Sequence, residues 1–102
     1  MKSQSKSIQK KLQPTHSEMQ RQVKEYLQWK GWYVIRHQAG PLSHDGLSDL
    51  SAIKNGITIY IEIKTGNARL RKGQQAFRAE IEARGGTYIV ARSIECLQER
   101  GI

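Results

Sequence analysis

Two acidic residues and a lysine are spaced so that they could carry out metal-assisted chemistry. Twelve residues separate Asp49 from Glu62, Asn55-Gly56 lies midway between them, and Lys64 follows two positions later. Asn-Gly is the strongest short signal for a two-residue β-turn, because the turn needs positive φ at both central residues. In such a hairpin the numbers of paired residues always sum to the same value, so we expect Asp49 directly opposite Glu62.

Directly opposed residues point to the same face of a sheet, with Cβ atoms roughly 5 Å apart. The period of two along a strand places Lys64 on the face of Glu62. Two like charges at this separation are destabilising unless a cation compensates them, and a carboxylate pair with water suits Mg²⁺ or Mn²⁺. The expected reaction is phosphodiester hydrolysis, in which Lys64 orients a metal-bound water or offsets developing charge. Alternatively, Asp49 and Glu62 are solvated strand residues and Lys64 is their ion-pair partner.

The surrounding pattern predicts the elements that hold these residues. Thr15 and Glu18 have the spacing of a capping box before a helix, and Gly85-Gly86 ends a second apolar helical pattern. We predict a basic flexible arm over 1–14, then a single domain over 15–102. Its elements are a helix over 16–30, strands over 32–36, 49–54 and 57–64, a helix over 74–84, a strand over 87–92 and a short terminal helix capped by Ser93. This order predicts an α/β sandwich around a mixed sheet.

The charge balance points to an anionic partner. The 102 residues include 17 Lys and Arg against nine Asp and Glu, a formal charge of +8. Nucleic acid is the leading candidate, and an anionic membrane surface is the alternative. No apolar run approaches the roughly 18 residues of a membrane span, and no signal-peptide pattern is present, so a cytoplasmic protein is expected. Cys96 is the single cysteine, which excludes an internal disulfide and a cysteine zinc cluster.

The motif Ser48-Asp49, twelve residues, then Glu62-Ile63-Lys64 resembles the PD-(D/E)XK nuclease signature, with serine in the proline position. More narrowly, the chain is similar to the virus-type replication-repair nuclease (VRR-NUC) domain, in which a helical Glu, an Asp after a glycine-containing loop, a Glu-X-Lys strand and a later Gln recur. These positions fall here on Glu18, Asp49, Glu62, Lys64 and Gln74. Arg71-Lys72-Gly73 departs from the Ser-Pro-acidic run often found before that Gln. The resemblance implies a restriction-endonuclease-like αβββαβ core with a mixed central sheet.

The resemblance also implies roles for individual residues. Asp49, Glu62, Lys64 and Gln74 would be catalytic, and Glu18, Asp49, Glu62 and Ile63 would bind Mg²⁺ or Mn²⁺. Capping alone would explain Glu18, although both roles could coexist, and Gln74 could simply be solvated at a helix start. Phosphate contacts are expected from the basic residues Lys10, Lys11, Arg36, Arg69, Arg71, Lys72 and Arg78. His16, His37 and His44 lack the spacing of a helical zinc motif and are expected to be ordinary, although His37 and His44 could touch metal or substrate.

These expectations combine into a metal-dependent, structure-selective endodeoxyribonuclease. Resolving a four-way (Holliday) junction needs two symmetric cuts, and one chain of this length offers one site, so a homodimer is expected. The alternatives are a noncatalytic nucleic-acid-binding module, a nickase or general duplex nuclease, and a basic membrane-surface protein.

Overall fold

Seven helices and strands follow one another in the part of the chain that the computed structural model describes, residues 13–38, 40 and 42–102. They are α1 (His16–Trp29), β1 (Tyr33–Arg36), β2 (Leu50–Lys54), β3 (Ile57–Ile63), α2 (Lys72–Ala83), β4 (Thr87–Ala91) and α3 (Ile94–Gln98). Most of the predicted basic arm, with Lys10 and Lys11, lies outside the described residues. Each predicted element is present, with bounds that differ by one or two residues.

The strands form one sheet in the order β1-β2-β3-β4. The first two pairings are antiparallel and β3 pairs with β4 in parallel, so α2 is the crossover between them. The predicted αβββαβ order and mixed sheet are therefore confirmed.

The hairpin of β2 and β3 has the predicted register. Asn55 and Gly56 have φ angles of 51° and 77°, the positive values that a type I′ turn requires. Lys54 pairs with Ile57, and the ladder continues outward to the pair of Leu50 with Ile61. Asp49 and Glu62 are the next residues outward on the two strands, which places both acids at the open end of the hairpin.

One face of the sheet carries the hydrophobic core. Met19, Val23 and Leu27 of α1 recur at helical spacing and are buried against it. The sheet and α3 contribute Leu50, Ala52, Ile59, Ile61, Ile63, Ile89, Ala91 and Leu97. Burying a side chain of this size contributes about 1.5–3 kcal/mol, so this face supplies most of the hydrophobic stabilisation.

The opposite face is covered only in part, by α2. Phe77 meets Tyr60 and Tyr88 edge to face, with ring centroids 5.5 and 6.0 Å apart. Farther along the same face, toward β1, Tyr33 and its partner Ile53 remain 70% and 39% exposed. The sheet face that carries Asp49 and Glu62 therefore ends in an apolar area that no described helix covers.

The start of α2 lies two residues before the predicted one, at Lys72. The reason is a local hydrogen bond: the side-chain oxygen of Gln74 accepts from the backbone N–H of Arg71 at 2.8 Å. Gln74 thus satisfies one of the free N–H groups of the first turn, and the helix begins before its apolar pattern does.

Candidate active site

A cleft of about 610 Å³ lies where the open end of the hairpin meets the starts of α1 and α2. Its lining includes all four residues that were predicted to be catalytic: Asp49, Glu62, Lys64 and Gln74. The loop between β1 and β2 forms another wall. The structure therefore brings the four predicted catalytic residues together; their catalytic role stays a prediction.

The two carboxylates occupy different environments. The side chain of Asp49 is 23% exposed, and its Oδ2 accepts from the backbone N–H of Ile63 at 2.8 Å. Glu62 is buried, and this burial, together with the charge of Asp49, raises its pKa from 4.5 to about 7, against the opposing effect of Lys64. Desolvation of Glu62, followed by repulsion from Asp49, thus favours the protonated form of this carboxyl up to about pH 7.

Lys64 lies on the same side of the strand as Glu62, as the period of two predicts. Its Nζ is 3.7 Å from Oε2 of Glu62, and its side chain is only 13% exposed. A positive charge is therefore held at the carboxylate pair with little solvent around it.

Gln74 connects the pair to α2. Its side chain is buried, and its Nε2 donates to Oε2 of Glu62 at 2.9 Å, while its Oε1 serves the helix start as described above. Both ends of the amide are used, which fixes its orientation. Because Gln74 is buried, it is not simply a solvated residue at a helix start.

A divalent cation fits the donor set that the cleft offers. Oε1 of Glu62 is buried and has no hydrogen-bond partner among the described residues, although a buried polar atom normally has one. A cation beside Asp49 would satisfy it. No group of three or more His, Cys, Asp and Glu side chains is assembled as a metal site in the described part of the chain. The remaining ligands would be water, substrate oxygens or a backbone carbonyl. Ile63, which was predicted as a ligand, can contribute only its backbone carbonyl.

Glu18 takes part in the cap of α1 and does not line the cleft. Its backbone N–H donates to Oγ1 of Thr15 at 3.2 Å, and its exposed carboxylate accepts from the same hydroxyl at 3.0 Å. The predicted cap is thus present, although the carboxylate is bonded to the hydroxyl rather than to the backbone of Thr15. The contacts of Glu18 give no support to its predicted metal role, which stays a prediction.

Three histidines line the cleft, and sequence reasoning gave them little weight. Nε2 of His16 is 3.4 Å from Oδ2 of Asp49. Nε2 of His37 is 3.0 Å from the hydroxyl of Ser51, and burial lowers the pKa of His37. They come from a helix start and from a loop, so no regular spacing in the sequence could have grouped them.

The predicted DNA-binding residues are distributed unevenly around the site. Arg71 lines the cleft, and Arg69 and Lys72, which are close to it in the chain, are exposed. Arg78 instead lies over the ring of Tyr88 and pairs with Glu82, and Arg36 is exposed at the end of β1, outside the cleft lining. Among the described members of this set, only Arg71 therefore lines the cleft with the carboxylates.

Two glycines let the loop wall approach α2. Gly46 has a φ of 74°, and a Cβ there would lie 2.0 Å from the carbonyl oxygen of Gly73. A Cβ on Gly73 would in turn meet the carboxylate of Asp45 at 2.8 Å. The backbone of the loop thus contacts the first turn of α2, which closes one side of the cleft.

Comparisons with known proteins identify the fold and the family of the chain. A solved structure described as a VRR_NUC domain has a TM-score of 0.71 and 21% identity, over 82% of this chain and 90% of that chain, which shows the same fold. No curated protein sequence matches the chain. No helix among the described residues is long and apolar enough to span a membrane. Residues 13–92 match the family model of the archaeal Holliday junction resolvase (Hjc), a PD-(D/E)XK family whose members generally use divalent metals. The chain therefore belongs to the Holliday junction resolvase family of nucleases.

Proposed function

We propose that this nuclease is a divalent-metal-dependent endonuclease that resolves four-way DNA junctions as a homodimer. The observation that carries the metal dependence is the buried, unpartnered Oε1 of Glu62 beside Asp49. The family match supports the junction as substrate.

Asp49, Glu62 and the backbone carbonyl of Ile63 would hold Mg²⁺ or Mn²⁺. When bound, such an ion polarises the scissile phosphate and makes a bound water more acidic. Lys64 then offsets the negative charge that develops at the phosphate, in a position where little water screens it. Gln74 keeps the carboxylate of Glu62 in one orientation through its 2.9 Å hydrogen bond.

DNA binding would rest mainly on backbone phosphates. The charge of +8 favours sequence-independent attraction, and Arg71 lines the cleft with the carboxylates. Arg69 and Lys72, exposed and close to Arg71 in the chain, would add to it. Lys10 and Lys11 of the predicted arm would extend this contact, with Arg36 and Arg78 contributing from outside the cleft. No base-reading element is visible in the sequence, so the shape of the DNA would select the substrate.

The dimer follows from the need for two incisions, since each chain contains one carboxylate pair. The open apolar area on the sheet face, formed by Tyr33, Ile35 and Ile53, supports it. Apolar side chains clustered on a surface are typical of protein interfaces, and a stable interface buries about 800 Å² per partner. A two-fold pairing through this area would set two cleavage sites at a fixed distance.

Cleavage of a four-way junction and of a linear duplex with matched sequence arms would test the proposal. We expect junction cleavage only with Mg²⁺ or Mn²⁺, by paired incisions, and much slower cleavage of the duplex. Asp49→Asn and Glu62→Gln should abolish cleavage while leaving DNA binding, measured without cleavage, intact.

Light scattering at the assay concentration would test the dimer, and Tyr33→Lys, which places a charge in the open apolar area, should weaken it. A monomer that cuts at full rate, or equal cutting of duplex and junction, would point instead to a nickase or a general nuclease. Junction binding with no cleavage under any metal would indicate a noncatalytic binding module.

A further inference from the structure

A second, mostly apolar pocket runs along α2 beside the active-site cleft. Its volume is about 460 Å³, within the range of sites that bind small molecules. Ala76, Phe77 and Ile81 form its apolar wall, and they recur at helical spacing on one side of α2. None of the three belongs to the hydrophobic core on the other face of the sheet. The pocket is therefore a surface that a ligand can occupy rather than a gap in the core.

The pocket and the cleft share a wall. His44 and Asp45 line both of them. The carboxylate of Asp45 lies against the first turn of α2, where a Cβ on Gly73 would meet it at 2.8 Å. A ligand at this end of the pocket is thus next to the DNA strand that the cleft would hold. A protein partner in the same place would obstruct that strand, so the DNA itself is the occupant that fits.

The charges of the pocket lining identify the part of the DNA. The lining carries the carboxylates of Asp45 and Glu80 and one guanidinium, that of Arg84, which is hydrogen-bonded to Glu80. The chain as a whole, in contrast, has a formal charge of +8. Two carboxylates repel a phosphate group, but they accept hydrogen bonds from the amino group of a base.

The aromatic residues of the pocket suit a planar ring. His44 and Phe77 meet edge to face, with ring centroids 5.5 Å apart. Aromatic side chains of this kind stack on unpaired bases of any sequence. Removing a base from the helical stack costs least where its pairing is already disturbed. The branch point of a junction, where stacking changes from one arm to another, is such a place.

We propose that this pocket, called the base pocket below, binds one base from the branch point of the junction, next to the cut phosphate. The inference rests on the proposed cleavage of junctions and adds a preference for certain bases to selection by shape. Adenine and cytosine carry an amino group that Asp45 or Glu80 can accept from, whereas thymine has none. Adenine or cytosine is therefore favoured over thymine at this position.

Photocrosslinking tests the position of the base directly. Four-way junctions with 5-iododeoxycytidine at single positions around the branch point would be bound to the wild type in chelator, irradiated, and mapped by mass spectrometry. We expect one position to crosslink at His44 or Phe77. Crosslinks found only outside the base pocket overturn the proposal.

Filling the base pocket should slow cleavage. Ala76→Trp places a large ring in it, and Ala79→Trp is the matched control, because Ala79 is also exposed on α2 but does not line the pocket. The loss of one stacked base corresponds to about 5- to 150-fold. We expect single-turnover junction cleavage by Ala76→Trp to fall at least about fivefold below that of Ala79→Trp. Equal rates in two variants that melt like the wild type contradict the proposal.

The base preference has its own test. Junctions that differ only in the base pair at the crosslinking position should be cut several-fold faster with adenine or cytosine in the pocket strand than with thymine. Asp45→Asn should reduce this difference. Equal rates for all bases would show that the lining carboxylates do not read the base.

These results distinguish the base pocket from the proposed function. If the wild type cuts junctions but neither crosslinks in the pocket nor responds to Ala76→Trp, junction cleavage stands and the base pocket is wrong. If a base crosslinks in the pocket but no junction is cut, the proposed function fails and the base pocket stands. If Ala76→Trp converts a dimer into a monomer in light scattering, a second copy of the chain occupies the groove, and the proposal is overturned.

Discussion

The side-chain amide of Gln74 joins the buried carboxylate of Glu62 to the first turn of α2. Its Nε2 donates to Glu62 at 2.9 Å, and its Oε1 accepts from the backbone of Arg71 at 2.8 Å. α2 adds no residue to the main hydrophobic core, which lies on the other face of the sheet. The position of the helix that carries Arg71 and Lys72 therefore depends on this amide and on the aromatic contacts of Phe77.

Replacing Gln74 should harm both stability and cleavage. Gln74→Met removes a partner from buried Glu62 and from the Arg71 N–H, and we expect a loss of about 1–3 kcal/mol in the free energy of unfolding. Gln75→Met is the matched control, because Gln75 is exposed and its hydrogen bond to the carbonyl of Leu70 is open to solvent, so its loss should cost clearly less than that of Gln74. Urea unfolding and single-turnover junction cleavage would measure both effects. Equal behaviour of the two variants would rule out this role of the amide.

Stability of the metal-free protein should fall as pH rises from about 4.5 to about 7. The pKa of Glu62 is raised in the folded state, so folding binds a proton in this range. The resulting stabilisation is complete below pH 4.5 and is lost by about pH 7. Its size is about 3 kcal/mol, at about 1.4 kcal/mol per pKa unit.

Glu62→Gln is the comparison for this pH dependence, because glutamine does not titrate. The difference in unfolding free energy between wild type and variant, measured in chelator across this range, should show the decline. A difference that is independent of pH would mean that Glu62 titrates near its ordinary pKa.

Lys64 should act in the chemical step rather than in binding. Lys64→Met is expected to lower the single-turnover rate by about 100-fold or more, the usual effect of removing one charge-stabilising group. Affinity for metal and for junction DNA should stay close to wild type. Lys72→Met provides the contrast. Lys72 is exposed at the first position of α2, so its loss should lower the slope of log affinity against log salt by about 1 and leave the cleavage rate unchanged. Rate and affinity losses of similar size in Lys64→Met would assign this lysine to phosphate binding.

The approach of Gly46 to Gly73 should not tolerate a methyl group. Gly46→Ala places a Cβ against the backbone carbonyl of Gly73. Residue 46 also has a positive φ, which strains any residue with a side chain. Gly56→Ala has a similar φ of 77° but open space around the Cβ, so it isolates the backbone strain, about 1–2 kcal/mol. We expect Gly46→Ala to be clearly the more destabilised of the two in thermal melting. Equal losses would show that the loop can move away from α2 at little cost.

The hairpin and its acids could be predicted because a two-residue turn determines the register by itself. The Asn55-Gly56 turn sets the pairing of β2 with β3, and this pairing brings Asp49 and Glu62 together without any contribution from the other elements. The side of α1 that meets the site could not be predicted in this way, since it depends on how the helix rotates when Met19, Val23 and Leu27 pack on the sheet. His16, which lines the cleft, was consequently expected to be an ordinary residue, and Glu18 received a metal role from the family resemblance alone. Helix α2 begins two residues before its predicted start because a side-chain hydrogen bond, rather than apolar spacing, defines its first turn.

The two-residue turn between β2 and β3 also bears on the order in which the site forms. A β-hairpin closes within about 1–10 μs, so Asp49 and Glu62 can meet early in refolding, while both are still hydrated. Parallel pairing of β3 with β4 is slower, because it must wait for the chain of α2 to cross over. We therefore expect Glu62 to lose its water late, when α2 docks, so that this step would carry the electrostatic cost of the site.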